Sequence, residues 1–216
     1  DFKDLKYHLK EGWYIFISTV AISLYTISNT FILGLLTNNT IVGYYSAGER
    51  IVKAALTALL TPFSQAIYPY ITKLMIESKE RGIKFIRKLL LIVAGLSFIL
   101  SLIIFIFSDL IVKIILGDQY LESIIVLRIL AFLPFIIGLS NIFGIQTMLA
   151  LNYKKAFSNI LISASIINIV LSFILVPLYQ HIGISFSVLI SEIFVTLSMF
   201  LSLQSKGVEI IKVYRR

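Results

Sequence analysis

The chain reads as an all-α protein, a polytopic transmembrane bundle of six helices, and three observations carry that reading. Apolar blocks of helix length recur six times in 216 residues. Hydrophobic residues make up 58% of the sequence and mean hydropathy is +0.96. Lys and Arg gather in alternate connecting segments. A bilayer core of about 30 Å needs about 20 apolar residues per helical span, and a soluble fold has no use for so much uninterrupted apolar sequence. The predicted spans are 12–36, 42–72, 85–107, 121–151, 156–178 and 182–203, forming one unit over 1–216.

Span one closes on Thr37-Asn38-Asn39-Thr40, a turn in which Asn is the expected residue; the sequon it contains carries little weight. Span two is long and holds Pro62 and Pro69, which remove helix hydrogen bonds and favour a kink or hinge. A charged link, residues 77–84, leads to span three. Residues 108–117 are too short to cross and predict a short helix at the outer interface. Span four contains Pro134, Gly138 and Gly144, so a bend is expected there. Span five ends at Pro177.

Charge gives the orientation. Lys3, Lys6 and Lys10 precede span one. Lys73, Lys79, Arg81, Lys84, Arg87 and Lys88 follow span two. Lys154 and Lys155 follow span four, and Lys206, Lys212, Arg215 and Arg216 form the tail. These are fifteen of the nineteen basic residues, against Lys113 alone in the opposite loops. Cytoplasmic loops collect Lys and Arg, so both termini are expected in the cytoplasm. The net charge of +8 is thereby explained without nucleic acid, for which no basic-aromatic module is present. Tyrosines support the map: only Tyr25 falls mid-span. Tyr14, Tyr68, Tyr70 and Tyr153 mark the cytoplasmic interface, with Tyr7 and Tyr214 just beyond it. Tyr44, Tyr45, Tyr120 and Tyr179 mark the outer one.

The chain begins with Asp1 and lacks a signal-peptide layout, so it is expected to be a piece of a longer polypeptide. With no cysteine there is no disulfide, Cys-metal site or thiol nucleophile. His8 and His181 lie in opposite boundary segments, and no metal site is expected. Paired carboxylates, a His–acid motif and a phosphate loop are absent too, so the chain is not expected to be an enzyme.

Span two carries the main functional signal. At about 100° per residue, Ser46, Arg50, Lys53, Thr57, Thr61, Ser64, Tyr68 and Thr72 fall within about 50° of one line. The opposite side holds Val52, Ala55, Leu59, Phe63 and Ala66. Below Tyr44, Arg50 lies roughly 9 Å and Lys53 roughly 13 Å deep. Snorkelling, or pairing of Lys53 with Glu49, accounts for the charges singly; a water-accessible cavity accounts for the whole stripe. Arg128 opens span four and either faces that cavity, pairs with Glu122 or meets a lipid phosphate; Gln146 shares its face. Glu192, the one acid deep in a span, sits with Ser185 and Thr196. It is read as a counter-ion, a proton or cation site, or a protonated core residue. Asn29 on span one, and Ser158, Ser165, Asn168 and Ser172 on span five, are polar positions for which helix packing is the default.

Two stretches then point to a family. Gly43-Tyr44-Tyr45-Ser46-Ala47-Gly48-Glu49-Arg50-Ile51 follows Ile32-Leu33-Gly34-Leu35-Leu36 after a short turn. Leu116-Gly117-Asp118-Gln119-Tyr120, then Leu127-Arg128-Ile129-Leu130, opens span four. Together they resemble the O-antigen and polysaccharide flippases of the multidrug/oligosaccharidyl-lipid/polysaccharide exporter superfamily. The resemblance implies one half of a MATE-like two-bundle transporter, the C-terminal six helices, whose partner is the N-terminal six-helix half of the same polypeptide. It implies a flippase of the bacterial inner membrane that moves undecaprenyl-diphosphate-linked oligosaccharide by alternating access, alongside membrane lipid and polysaccharide polymerase machinery. By the same resemblance Arg50, Lys53 and Arg128 would meet the diphosphate, with Ser46, Thr57, Thr61, Ser64, Tyr68, Asn29 and Gln146 lining the cavity. Glu192 would serve proton or cation coupling. No cofactor is implied beyond a coupling H+ or Na+. Some relatives carry an acid where this chain has Asn29. Two alternatives stand beside this: a multidrug/cation antiporter of the same superfamily, and a polytopic membrane glycan polymerase.

Overall fold

The computed structural model describes residues 2–210, with side chains from residue 12 onward except Ile15 and Tyr25. Lys3, Lys6, Tyr7, His8, Lys10, the Tyr25 ring, Lys212, Tyr214, Arg215 and Arg216 therefore lie outside the described residues and side chains. The described chain is helical almost throughout, and no strand occurs among the described residues. It is a polytopic transmembrane helical bundle.

Helix α1 runs Phe2–Leu36 and α2 runs Asn39–Glu77. Between them Asn38 takes an extended conformation, and its Oδ1 accepts the Ile41 N–H at 3.1 Å, capping α2. Helix α2 continues through both Pro62 and Pro69. Ser78 alone joins α2 to α3, Lys79–Ile106: its N–H donates to the Leu74 carbonyl and its hydroxyl caps α3 at Arg81 N–H. Glu80 in the first turn of α3 complements the helix dipole. Helix α4, Ser108–Ile115, is the expected short amphipathic piece. It buries Ser108 and Val112 and exposes Leu110, Ile114 and Ile115.

The fourth apolar block is interrupted rather than merely bent. It comprises α5, Ser123–Leu130; α6, Leu133–Asn141, with Pro134 in its first turn; and a π-helical stretch, Ile142–Leu149. Proline cannot donate into the preceding turn, which explains the break before α6. The freed N–H of Phe135 donates to Ser101 Oγ of α3 at 3.1 Å. The π stretch shows its five-residue spacing in side chains as well: Thr147 Oγ1 donates to the Ile142 carbonyl.

Helix α7, Lys154–Ser205, is nominally 52 residues long but leaves helical geometry at Gln180 (φ 49°, ψ −124°). Phe157 and Met199 both abut Gly144, and Lys206 sits 4.9 Å from the Tyr153 ring centroid. An unbroken helix would hold residues 157 and 199 roughly 60 Å apart. The segment is therefore an antiparallel hairpin, and five apolar helical segments supply six membrane-length rods. Gly183 is required at the tip, because a Cβ there would lie 2.3 Å from the Leu175 carbonyl oxygen.

Two apolar clusters fill the bundle, one toward each end. The first includes Ile71, Ile86, Leu89, Met148, Phe157 and Leu203; the second Leu33, Tyr45, Val52, Val126, Leu130 and Ile184. Buried small polar residues, among them Ser97, Ser172, Ser185 and Ser187, pack between helices and bond their own backbones. Large apolar side chains such as Ile27, Phe31, Leu91, Ile106, Ile166 and Leu178 face outward, as a lipid-exposed surface requires. The connections sort by end. Arg87 donates to the Glu209 carbonyl, and Tyr153 meets Lys206, at one end. Tyr44, Tyr120 and His181 meet at the other.

Candidate functional site

The orientation of α2 about its own axis decides where its polar edge points. Gly48 sets it: a Cβ at that position would stand 2.9 Å from Val126 Cγ1, so only glycine lets α2 close on α5 here. Tyr45, Gly48, Val52, Leu60, Ser64, Ile71 and Met75 then form the buried face. Arg50, Lys53, Thr57 and Thr61 are exposed, Ser46, Tyr68 and Thr72 are half-buried, and Ser64 is buried. The stripe thus lies along the margin between the bundle interior and the outside of this chain. In its most apolar stretch α2 is 17% buried, the least of the five apolar segments, which leaves this polar edge open to another element.

The inner side of that edge borders a cleft of about 120 Å³ where four elements converge. Thr26 and Asn29 come from α1; Glu49, Val52, Lys53 and Leu56 from α2; Leu133 and Ile137 from α6; Val188 and Glu192 from α7. Lys53 Nζ is 3.0 Å from Glu49 Oε1, which also accepts the Tyr45 hydroxyl at 2.9 Å. Tyr45 is fully buried, so this carboxylate is held firmly. Asn29 is 1% exposed, and its Oδ1 has no hydrogen-bond partner. Glu192 is 8% exposed, and its backbone carbonyl accepts the Thr196 hydroxyl at 2.9 Å. Two carboxylates and one ammonium thus line the cleft. Nothing in the sequence of α1 marks Thr26, and helical spacing marks Glu49 only as a partner for Lys53. Their place in the cleft depends on how α1 and α2 are turned, which single-helix periodicity cannot supply.

The three span-embedded cations occupy different settings. Arg50 points away from that cleft, into an open depression formed with Ala47, Ile51 and Ala54 of α2 and with Ile115, Leu116 and Tyr120. No ion pair to Arg50 occurs among the described residues. Lys53 is paired internally. Arg128 forms an ion pair with Asp109 and donates from Nε to Ser108 Oγ at 3.0 Å. Its acid is therefore Asp109 rather than Glu122, because α4 folds back against α5. Gln146, on the π stretch, donates from Nε2 to Ser64 Oγ at 2.8 Å, and Ser64 donates to Asn141 Oδ1 at 3.2 Å. Gln146 and Ser64 thus tie the interrupted span to α2. No cluster of three His, Cys, Asp or Glu able to hold a metal ion occurs among the described residues.

Comparison with known proteins adds to this geometry. Residues 2–75 match the family described as "Polysaccharide biosynthesis protein". Over 193 residues, 89% of its length, the chain is 41% identical to a protein of Escherichia coli (strain K12) named "Putative O-antigen transporter". A Shigella dysenteriae protein of the same name is 29% identical over 202 residues, 91% of the chain. These matches cover 46% and 49% of the two proteins, so the chain spans about half the length of the curated relatives it matches. No solved structure matches the chain.

Proposed function

We propose, from the match of residues 2–75 to the polysaccharide-biosynthesis family and the likeness of the chain to two proteins each named "Putative O-antigen transporter", that it is the C-terminal half of a lipid-linked oligosaccharide flippase of the bacterial inner membrane. The observation that carries this is the open polar edge of α2, which runs from Ser46 past Arg50, Thr57 and Thr61 to Tyr68 and is left uncovered by the chain's own helices. A second six-helix bundle facing that edge would enclose a polar, cationic cavity between the two halves. The cargo is an undecaprenyl-diphosphate-linked repeat unit whose sugars occupy the cavity while the prenyl chain stays in lipid.

Arg50 offers the cavity a planar guanidinium with no ion-pair partner among the described residues, suited to bidentate contact with a diphosphate. Lys53 and Arg128 supplement its field while holding Glu49 and Asp109. Glu192, with Asn29 in the same cleft, serves the energy coupling: uptake of a proton or Na+ there changes the electrostatics among α1, α2 and α7. Rocking of the two bundles then exposes the cavity to alternate sides.

The acidic cleft favours, on its face, a second reading as a multidrug/cation antiporter. The cationic edge of α2 supports an anionic cargo instead, and the cleft of about 120 Å³ is small beside pockets for drug-sized ligands, about 300–1,000 Å³. The test is reconstitution of the full-length protein in liposomes with two cargoes. Transfer of a polyprenyl-diphosphate oligosaccharide between leaflets, without efflux of organic cations, is expected. Cation efflux without lipid transfer would replace this proposal with the antiporter.

A further inference from the structure

At the end of the bundle bearing Asn38 and Asp118, one imidazole sits where three elements meet. His181, at the tip of the α7 hairpin, is 7% exposed, and neither ring nitrogen has a hydrogen-bond partner. The Tyr44 ring of α2 packs against it with centroids 6.0 Å apart at 66°. Glu122, just before α5, places Oε2 3.9 Å from His181 Nε2. Tyr120 stacks edge-on behind Tyr44, and Ser123 Oγ donates to the Tyr44 carbonyl at 2.8 Å, so the surface receiving the imidazole is itself tied together. At the tip Gln180 adopts a positive φ, and Gly183 packs on the Leu175 carbonyl.

We propose that His181 is a proton-operated latch: as the neutral imidazole it seats the α7 tip against Tyr44 and Glu122, and its protonation releases that end of the bundle. The titratable groups facing it are Glu122 and Tyr44, with Tyr120 behind. Burial penalises the imidazolium and lowers its pKa, while Glu122 raises it by the smaller amount. Glu122 is a weak compensator because its side chain is 66% exposed. Once the tip lifts, the ring is solvated and returns to about 6.5. Separation is therefore accompanied by proton uptake. The closed form's advantage is complete above about pH 6.5 and is lost as pH falls toward the lowered value, by at most about tenfold per pH unit for one proton. If the chain acts in the flippase proposed above, an acidic outer compartment favours the outward-open form. That consequence rests on the functional reading; the latch does not.

Pulsed EPR distances between spin labels at Gln119→Cys and Leu178→Cys, both exposed positions, test it in the full-length protein in nanodiscs. The chain itself brings no competing cysteine. A long-distance population should grow between about pH 8 and about pH 5, the range in which imidazole titrates. His181→Gln should abolish that dependence. Glu122→Gln should steepen it, because removing the carboxylate lowers the closed-state pKa further. Distances indifferent to pH, or an unchanged acid response in His181→Gln, overturn the latch. Should His181→Gln fail to fold, His181→Phe, which keeps a planar ring against Tyr44 and cannot titrate, decides instead: an acid response that persists in it overturns the latch. Lipid transfer persisting in liposomes after such a result would leave the functional proposal standing and remove only the latch.

Discussion

Glu192 shows what single residues contribute. A carboxylate this deep in a membrane helix must be neutralised, paired or hydrated, and it shares its cleft with Lys53, Glu49 and Asn29. Replacing it with Gln preserves shape and removes the charge. Glu192→Gln is expected to lower glycan transport by about fivefold to 150-fold, the span of ordinary coupling energies, while leaving the amount of membrane-inserted protein unchanged. Quantitative immunoblots of membranes beside a surface-glycan assay check this, and equal loss of both would reduce Glu192 to a packing residue. The depth and face of Glu192, Lys53 and Asn29 were legible in the sequence, since helical spacing fixes both. Their meeting in one cleft was not. It depends on the contact of Gly48 with Val126 and on the α7 hairpin, neither of which leaves a periodic signal. The partner of Arg128 was hidden for a similar reason, because Asp109 reaches it only when α4 folds back on α5.

The elements were readable where composition punctuates them. Asn38 marks a turn and Pro134 a break through their own chemistry, and the six apolar blocks follow from length and hydropathy, whereas the expected charged link over 77–84 is reduced to Ser78, with residues 79–84 forming the first turns of α3. The π stretch at Ile142–Leu149 was not readable, because its sequence is an ordinary apolar helix and the wider turn arises from packing against α2 and α7. The reversal inside α7 is also a tertiary matter. Gln180 takes a conformation usually left to glycine, and Gly183 closes on backbone. Gly183→Ala sets a Cβ 2.3 Å from the Leu175 oxygen, and a carbonyl cannot rotate away as a side chain can. A destabilisation of about 3 kcal/mol is expected, visible as a lower thermal midpoint in detergent. Gly95→Ala is the control: nothing lies within 4 Å of its Cβ position, and alanine favours helix by about 1 kcal/mol. A midpoint for Gly183→Ala equal to that of the control would contradict the hairpin geometry.

For the whole molecule, the alternation of basic and charge-poor connections agrees with the way the structure sorts them to two ends. Ser78, Tyr153 and Lys206 lie toward one end, and Asn38, Tyr120 and His181 toward the other. With the basic end in the cytoplasm, a cysteine at position 79 should resist a membrane-impermeant thiol reagent in intact cells, and one at 118 should react. Reaction at 79 from outside would invert the topology. Fold class was legible because a bilayer demands long apolar helices. The cavity was legible only as a stripe, because in the proposed flippase its other wall lies outside this chain, which spans about half the length of its curated relatives. The central claim is that this stripe faces a lipid-linked, anionic cargo. It is tested most directly by surface-glycan export in cells whose full-length protein carries Arg50→Ala together with Lys53→Ala, measured beside its abundance in the membrane. The account predicts normal insertion with export lost and lipid-linked glycan retained on the inner side, and a milder defect for Arg50→Lys, which keeps the charge and loses only the bidentate fork. Normal export by the double alanine variant at normal abundance would contradict it.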